Sequence, residues 1–421
     1  MKNLCKAIIL TTITVGMTTP VYAKTNLQVI ARSAISNNTT ESNKAIANLR
    51  QLKQEGITAF LDTYKKEFTP KNPNFAKLNK TLDAICQQRD CYSSQLFWHT
   101  DLEQAKLVAK QTGKPILSLR LLGRLDQDLS CANSRFFRVA LYPNEQISKT
   151  LREKFVLHWE SVRPVPKVTI DFGNGKKMER TLTGNSIHYI LDADGTPVDG
   201  LPGLSSPQFF QNWLTESQSL VKDYSSLQGR VKSNFLRQYH NDKLGIINTN
   251  WQGDLAKLNI TLPPTNNTNS TLPTAAEAAP IAVSKMAIEL PVINRIFLRD
   301  RQILADGTSE KMWDQIGELH RKEVTLDENT KALIKRKNPQ INLSNVVENF
   351  EKLIAIDTTR NQYLLHSKIH EWFMNGSRNT TNVKTLNDQV YAELFLTPNS
   401  DPWLGLLPSN GYTAIDDDGI K

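Results

Sequence analysis

Lys114-Pro115-Ile116-Leu117-Ser118-Leu119-Arg120-Leu121-Leu122 is followed, after a short polar loop, by Cys131-Ala132-Asn133-Ser134. The first run is apolar almost throughout, follows Gly113, and reads as a core strand. Arg135 to Phe155 reads as mostly helix, and Phe155 to Val162 as a second strand. Cys131 therefore falls at a strand-to-helix turn, where unpaired backbone N–H groups favour a thiolate. Such a thiol can attack a disulfide. With Ser134 in place of a second cysteine it cannot resolve the mixed disulfide by itself. The other reading of Cys131 is a buried structural cysteine.

Working outward, Trp98 precedes a short helix that carries Asp101, Ala105 and Ala109 and ends at Gly113-Lys114-Pro115. Thr100-Asp101-Leu102-Glu103 fits a capping box at its start. Beyond the turn come a helix from Arg135 to Leu141, Pro143, a helix from Glu145 to Lys154, and a strand opening on Phe155-Val156. On these residues the segment resembles the thioredoxin family over roughly residues 96 to 225. The resemblance implies that Cys131 and Ser134 occupy the two active-site cysteine positions. Ser186 falls where the family carries a cis-proline, and Arg124 to Leu129 is an insertion before the motif. It further implies that Asn133, Asn185 and Ser186 contact a substrate and that His188 lies on the strand facing the site. There His188 would stabilise a thiolate or shuttle a proton; otherwise it is a hydrogen-bonded strand histidine. No cofactor is implied. The chain as a whole also looks like bacterial thioredoxin-like proteins ending in Asp-Pro-Trp-Leu-Gly-Leu, residues 401 to 406 here.

The first 23 residues read as a secretory signal. Lys2 and Lys6 give the positive start, Ala7 to Val15 the apolar core and Val21-Tyr22-Ala23 the cleavage pattern. An exported protein, periplasmic or secreted, is expected, in a compartment that permits disulfides. No segment is apolar enough for stable membrane insertion. The formal charge is +9, but the basic residues are scattered and no stripe combines them with aromatics. Nucleic acid is therefore not an expected partner; protein clients or an envelope partner are.

The expected architecture is α/β: a helical lead-in (24–95), a thioredoxin-like domain (96–225), a connecting segment (226–258), a linker (259–280) and a mainly α-helical C-terminal domain (281–421). Residues 24 to 40 read as loose. Residues 41 to 66 carry Ile46, Leu49, Ile57, Phe60 and Tyr64 at helical spacing, with Gly56 as a weak point. A second short helix carries Phe75, Leu78, Leu82 and Ile85. Gly173 to Lys176 and Asp192 to Gly195 read as turns of two hairpins, and Ser206-Pro207 opens a last domain helix. Residues 259 to 280 are rich in Asn, Thr, Pro and Ala, and proteolysis is expected to cut there first. The C-terminal tail, with Trp403, Leu404, Leu406 and Leu407, is expected to lie back across a surface.

Cys86 and Cys91 flank four residues, which suggests a local disulfide; two free thiols, or a pair exchanging with Cys131, are the alternatives. Glu160, beside His158 and Trp159 on a central strand, is expected to pair with Arg163 or Arg120. His366 and His370 stand four apart on a helix, the spacing of two metal ligands on one face. The sequence shows no third ligand, so no metal is expected. Asp192, Asp194 and Gly195 resemble the start of a calcium loop but lack its downstream glutamate. No Gly-x-Ser-x-Gly, phosphate loop or dinucleotide fingerprint is present.

Overall fold

The decisive stretch forms strand β1 (Ile116–Leu122), and every residue of it is buried. Burial on both faces explains why it reads as a continuous apolar run rather than an alternating one. β1 pairs in parallel with β2 (Val156–Arg163) and antiparallel with β5 (Ser186–Leu191), which pairs antiparallel with β6 (Pro197–Pro202). The sheet order is β2-β1-β5-β6, and the class is mixed α/β. The computed structural model describes residues 21–181, 184–260, 310–376, 378–395, 397–400, 402 and 414–420. Residues 1–20 of the expected signal, residues 261–280 of the expected linker, residues 281–309 and Trp403 to Leu407 lie outside the described residues. Two units are present, residues 1–81 and 82–421.

In the first unit, α1 (Val21–Ser33), α2 (Thr39–Gln51) and α3 (Gln54–Tyr64) pack together. The segment expected to be loose, 24–40, is helix as far as Ser33. Ala31 and Ala34 are small enough to be fully buried, and the Tyr64 hydroxyl donates to the Ala31 carbonyl at 3.4 Å. The single helix read over 41–66 is two. Lys53 adopts φ +55° at the break, and at Gly56 a Cβ would lie 2.0 Å from the Leu49 carbonyl oxygen. Gly56 is thus a close-packing residue rather than a weak point. α4 (Phe75–Cys86) leads into the second unit.

Cys86 and Cys91 form a disulfide. The turn it closes holds Gln87 and Asp90 at φ +56° and +63°, a region non-glycine residues rarely occupy. Asp83 accepts from the Cys91 amide at 2.9 Å and pairs with Arg89 at 2.7 Å, while Gln88 accepts from the Trp98 indole at 2.7 Å. This turn therefore anchors Trp98. A short helix, α5 (Cys91–Ser94), follows. Next comes α6 (Leu102–Thr112), whose cap is Asp101, one residue later than the capping box implies: its carboxylate accepts from Glu103 and Gln104 N–H. Gly113 closes it at φ +68°.

The link from β1 to β2 runs through α7 (Ala132–Phe136), a widened π turn at Phe137–Leu141, and α8 (Glu145–Lys154). β3 (Lys167–Asp171) and β4 (Lys177–Thr181) form a separate two-stranded sheet, tied back where Arg135 donates to Thr181 at 2.8 Å. The Asp192–Gly195 segment is a hairpin turn: the Asp192 carboxylate accepts from the backbone N–H groups of Asp194 and Thr196. Ser206 caps α9 (Pro207–Ser225), which buries Phe210, Trp213 and Leu214.

The connecting segment 226–258 is mostly one helix of 29 residues, α10 (Gly229–Lys257). α11 (Glu310–Leu319), α12 (Glu328–Lys337) and α13 (Leu343–Arg360) follow. A second π turn, Asn361–His366, joins α13 to α14 (Ser367–Met374), and a third, Val390–Leu394, extends α15 (Val383–Gln389). Apart from a small cluster of Met312, Trp313, Ile316 and Ile356 between α11 and α13, these helices share the core of the sheet. Ile354, Leu365, Ile369, Phe373, Leu386, Val390 and Tyr391 belong to the same buried cluster as Leu119, Ile187 and Phe210. Covering by these helices is what buries all of β6 as well.

Two consequences are testable. Replacing Cys86 and Cys91 together by serine is expected to lower unfolding stability by about 2 kcal/mol, the value for a short closed loop, measured by urea denaturation. Proteolysis within 261–280 is expected to leave two pieces that co-elute in size-exclusion chromatography, because the sheet and the C-terminal helices share one core; separation would contradict it.

Candidate functional site

The Cys131 turn is built from the end of β1. Gly123 leaves the strand at φ +75°, where a Cβ would lie 3.0 Å from Val165 Cγ1, so glycine is required. Its N–H donates to the Arg163 carbonyl at 2.8 Å, and the Cys131 N–H returns to the Leu122 carbonyl at 3.1 Å. The inserted loop between them is pinned by Arg124 to Asp126, by buried Leu125, and by Arg89, which bridges Asp83 and Asp128. The disulfide turn and the cysteine turn are thus held by one arginine.

Cys131 is a free cysteine and wholly buried. Ser134 turns back onto its own loop, with Oγ 2.7 Å from Ser130 Oγ and 2.9 Å from the Cys131 carbonyl. Arg138, itself buried, donates to Ser130 Oγ at 3.3 Å. Asn133 is buried, and its Nδ2 has no hydrogen-bond partner. α7 is only five residues long before the chain widens into the π turn. The first turn expected to polarise the thiol therefore has little helix behind it.

His188 sits in the core. Its Nε2 lies 2.8 Å from the Tyr142 hydroxyl, and its ring packs against Phe137 and Phe210. Burial pushes its pKa down to about 3, so the imidazole is neutral. Burial first, and then the nearby Cys131 thiol, pushes the Tyr142 and Tyr391 hydroxyls well above the ordinary tyrosine range. Tyr391 belongs to the C-terminal segment and to the same buried cluster as Cys131.

The residues expected to contact substrate meet the same segment. The Tyr391 hydroxyl donates to the Asn185 carbonyl at 3.1 Å, and Asn185 Nδ2 donates to Thr397 Oγ1 at 3.1 Å. Arg163 donates to the Thr397 carbonyl at 3.1 Å. Ser186 is buried, its Oγ unpaired, and no cis peptide precedes it among the described residues. Cys131, Ser134, Asn185 and Ser186 are therefore all covered. Tyr142, Ser130, Tyr391 and Thr397, which complete this region, carry no motif that would single them out in the sequence.

Of the two arginines expected for Glu160, Arg120 is the partner. The register that sets Arg120 opposite Glu160 also sets Ser118 opposite His158, whose Nδ1 lies 2.9 Å from Ser118 Oγ. A second cluster forms elsewhere. His366 and His370 do share a face, and the fold adds what the sequence lacks: Asp199 of β6, fully buried, stands 3.8 Å from His366 Nε2. His240 of α10 backs His370, Nδ1 to Nδ1 at 2.7 Å.

No family model, no curated protein and no solved structure matches the chain. Among the described residues no helix is long and apolar enough to cross a membrane.

Burial holds four histidines below the ordinary value of about 6.5: His158 and His188 at about 3, His240 at about 4, and His370 well below it. Between those values and 6.5 the unfolded chain binds protons that the folded chain does not. Their contribution is complete above pH 6.5 and is lost as pH falls. Asp83 acts in the opposite sense, since burial raises its carboxyl to about 6, but it is one group against four. At pH 5 each histidine costs about 2 kcal/mol. Thermal melts are expected to show a midpoint that falls steadily from pH 7 to pH 5; a flat profile would contradict the buried neutral histidines.

Proposed function

We propose that this chain is a non-catalytic thioredoxin-like module, exported to the cell envelope, that acts by binding a protein partner. The succession strand, helix, strand, hairpin and closing helix supports the thioredoxin-like reading. The observation that carries the non-catalytic part is that Tyr391 and Thr397 occupy the Asn185 edge while Cys131 is buried. Single-thiol chemistry needs the sulfur to approach a client disulfide directly and needs a second thiol to release the product. Neither condition is met in this arrangement, and Ser134 is bonded inward.

The competing reading is a single-thiol disulfide oxidoreductase or isomerase acting through Cys131. In its favour, the backbone holds Cys131 tightly at the end of β1. It would require Tyr391 and Thr397 to move aside.

Alkylation distinguishes the two. Native protein is expected to leave Cys131 unlabelled by iodoacetamide under conditions that label it fully in denaturant. Tyr391→Ala should speed native labelling by about tenfold or more, because it opens the cover by local unfolding. Ser134→Cys should gain no turnover in a disulfide-reduction assay. Native labelling at the rate of a free thiol, or client proteins trapped on Cys131, would return the oxidoreductase reading.

A further inference from the structure

We propose that Asp199, His366 and His370 bind one divalent transition-metal ion of the zinc and iron(II) class. The three offer one carboxylate oxygen and two imidazole nitrogens, all within 4.8 Å of one another and all buried. Neighbouring ligand atoms around a tetrahedral zinc with bonds of about 2.05 Å stand about 3.3 Å apart, so a small contraction would close the site. Two imidazoles and a carboxylate suit zinc and non-haem iron(II) rather than magnesium or calcium.

The surrounding hydrogen bonds prepare both histidines as ligands. His240 Nε2 lies 3.1 Å from the Val198 carbonyl, which can only accept, so that nitrogen carries the proton. His240 Nδ1 is then an acceptor and takes the proton of His370 Nδ1, 2.7 Å away. This leaves His370 Nε2 as a bare lone pair. His366 donates through Nδ1 to Gln362 Oε1 at 2.9 Å, leaving its Nε2 bare as well. A metal-bound histidine has this pattern, its second nitrogen held by a hydrogen bond.

The plain alternative is a satisfied polar cluster in the core, and two observations oppose it. His366 Nε2 is buried and has no hydrogen-bond partner. At 3.8 Å from Asp199 Oδ1 it is too far for a hydrogen bond, so the two atoms face each other across a gap. Asp199 already accepts from the Gly200 amide at 2.7 Å and the Trp213 indole at 2.9 Å, which orients its carboxylate. Among the described residues that buried carboxylate has no lysine or arginine partner, only His366 across 3.8 Å. Lys243, the lysine lining the adjoining cavity, is engaged by Glu216 at 2.7 Å. A cation between the three side chains answers both problems. The cavity, about 170 Å³, is also lined by Asp199, His366 and His370, and leaves room for water or a small ligand at the remaining positions. The inference does not depend on what the Cys131 turn does.

The test uses the full chain without a histidine tag, stripped by a chelator. Isothermal titration with Zn²⁺ is expected to give one site per chain. His366→Gln and His370→Gln should each weaken binding by about 100-fold or more, at or beyond the loss seen for supporting residues of metal sites. His320→Gln, in a separate histidine–acid group with Asp254, should leave it unchanged. Co²⁺ should give visible ligand-field bands in the wild type that are lost in both glutamine variants, and anaerobic Fe²⁺ competition ranks the two metals. If the variants fail to fold, the wild-type Co²⁺ spectrum decides: a spectrum no different from free aqueous Co²⁺ overturns the site. So does the absence of stoichiometric Zn²⁺ binding, or binding that survives both substitutions.

Discussion

Burial of β1 on both faces is the constraint from which the rest of the molecule follows. A strand with no solvent side must satisfy its own polar residues, and β1 carries two. Ser118 and Arg120 are both buried, and the parallel register with β2 gives each a partner, His158 and Glu160. A slip of one residue would turn each side chain to the other face. Arg120 would then lie inside the sheet without its carboxylate. The polar pairs therefore fix the register, and the register fixes where β1 ends. The Cys131 turn inherits its place from that end, through backbone bonds to Leu122 and Arg163.

The same covering changes the meaning of the cysteine. At a strand-to-helix turn open to solvent, a thiol is a nucleophile. Here it is enclosed, in the same buried cluster as Tyr142 and Tyr391. Nothing in Cys131-Ala132-Asn133-Ser134 decides between these states. The decision lies with residues far along the chain, whose tyrosine and threonine bond to Asn185. Nominally separate segments, the sheet and the C-terminal helices, have become one core.

That separation also marks how far the sequence could be read. β1, β2, both hairpins and the end of α6 were legible, and its start to within one residue, because periodicity and turn residues are local signals. Helix in the lead-in before Ser33 was not, since alanines on a polar segment give little apolar contrast. The 29-residue α10 was hidden for a similar reason: its few buried residues, such as His240, Ile247 and Asp254, trace no apolar stripe. Half of the histidine cluster was visible, because His366 and His370 are four apart on one helix. Asp199 was not, because it lies in a hairpin strand whose second face is buried only by distant helices. Local patterns carry no information about such packing.

Three widened helical turns remain among the described residues, and each adjoins a residue that matters. Phe137–Leu141 directly precedes Tyr142, Asn361–His366 ends on a histidine of the cluster, and Val390–Leu394 contains Tyr391. A π turn is one residue more than an α-helix needs. That extra residue turns everything after it by about 100° around the helix axis. The directions in which these side chains aim are thus set by chain length, not only by residue type. Homologous chains would be free to change many residues in these helices. A chain that lost a single residue from one of the three turns would keep its helix, straighten it, and swing the tyrosine or histidine out of place.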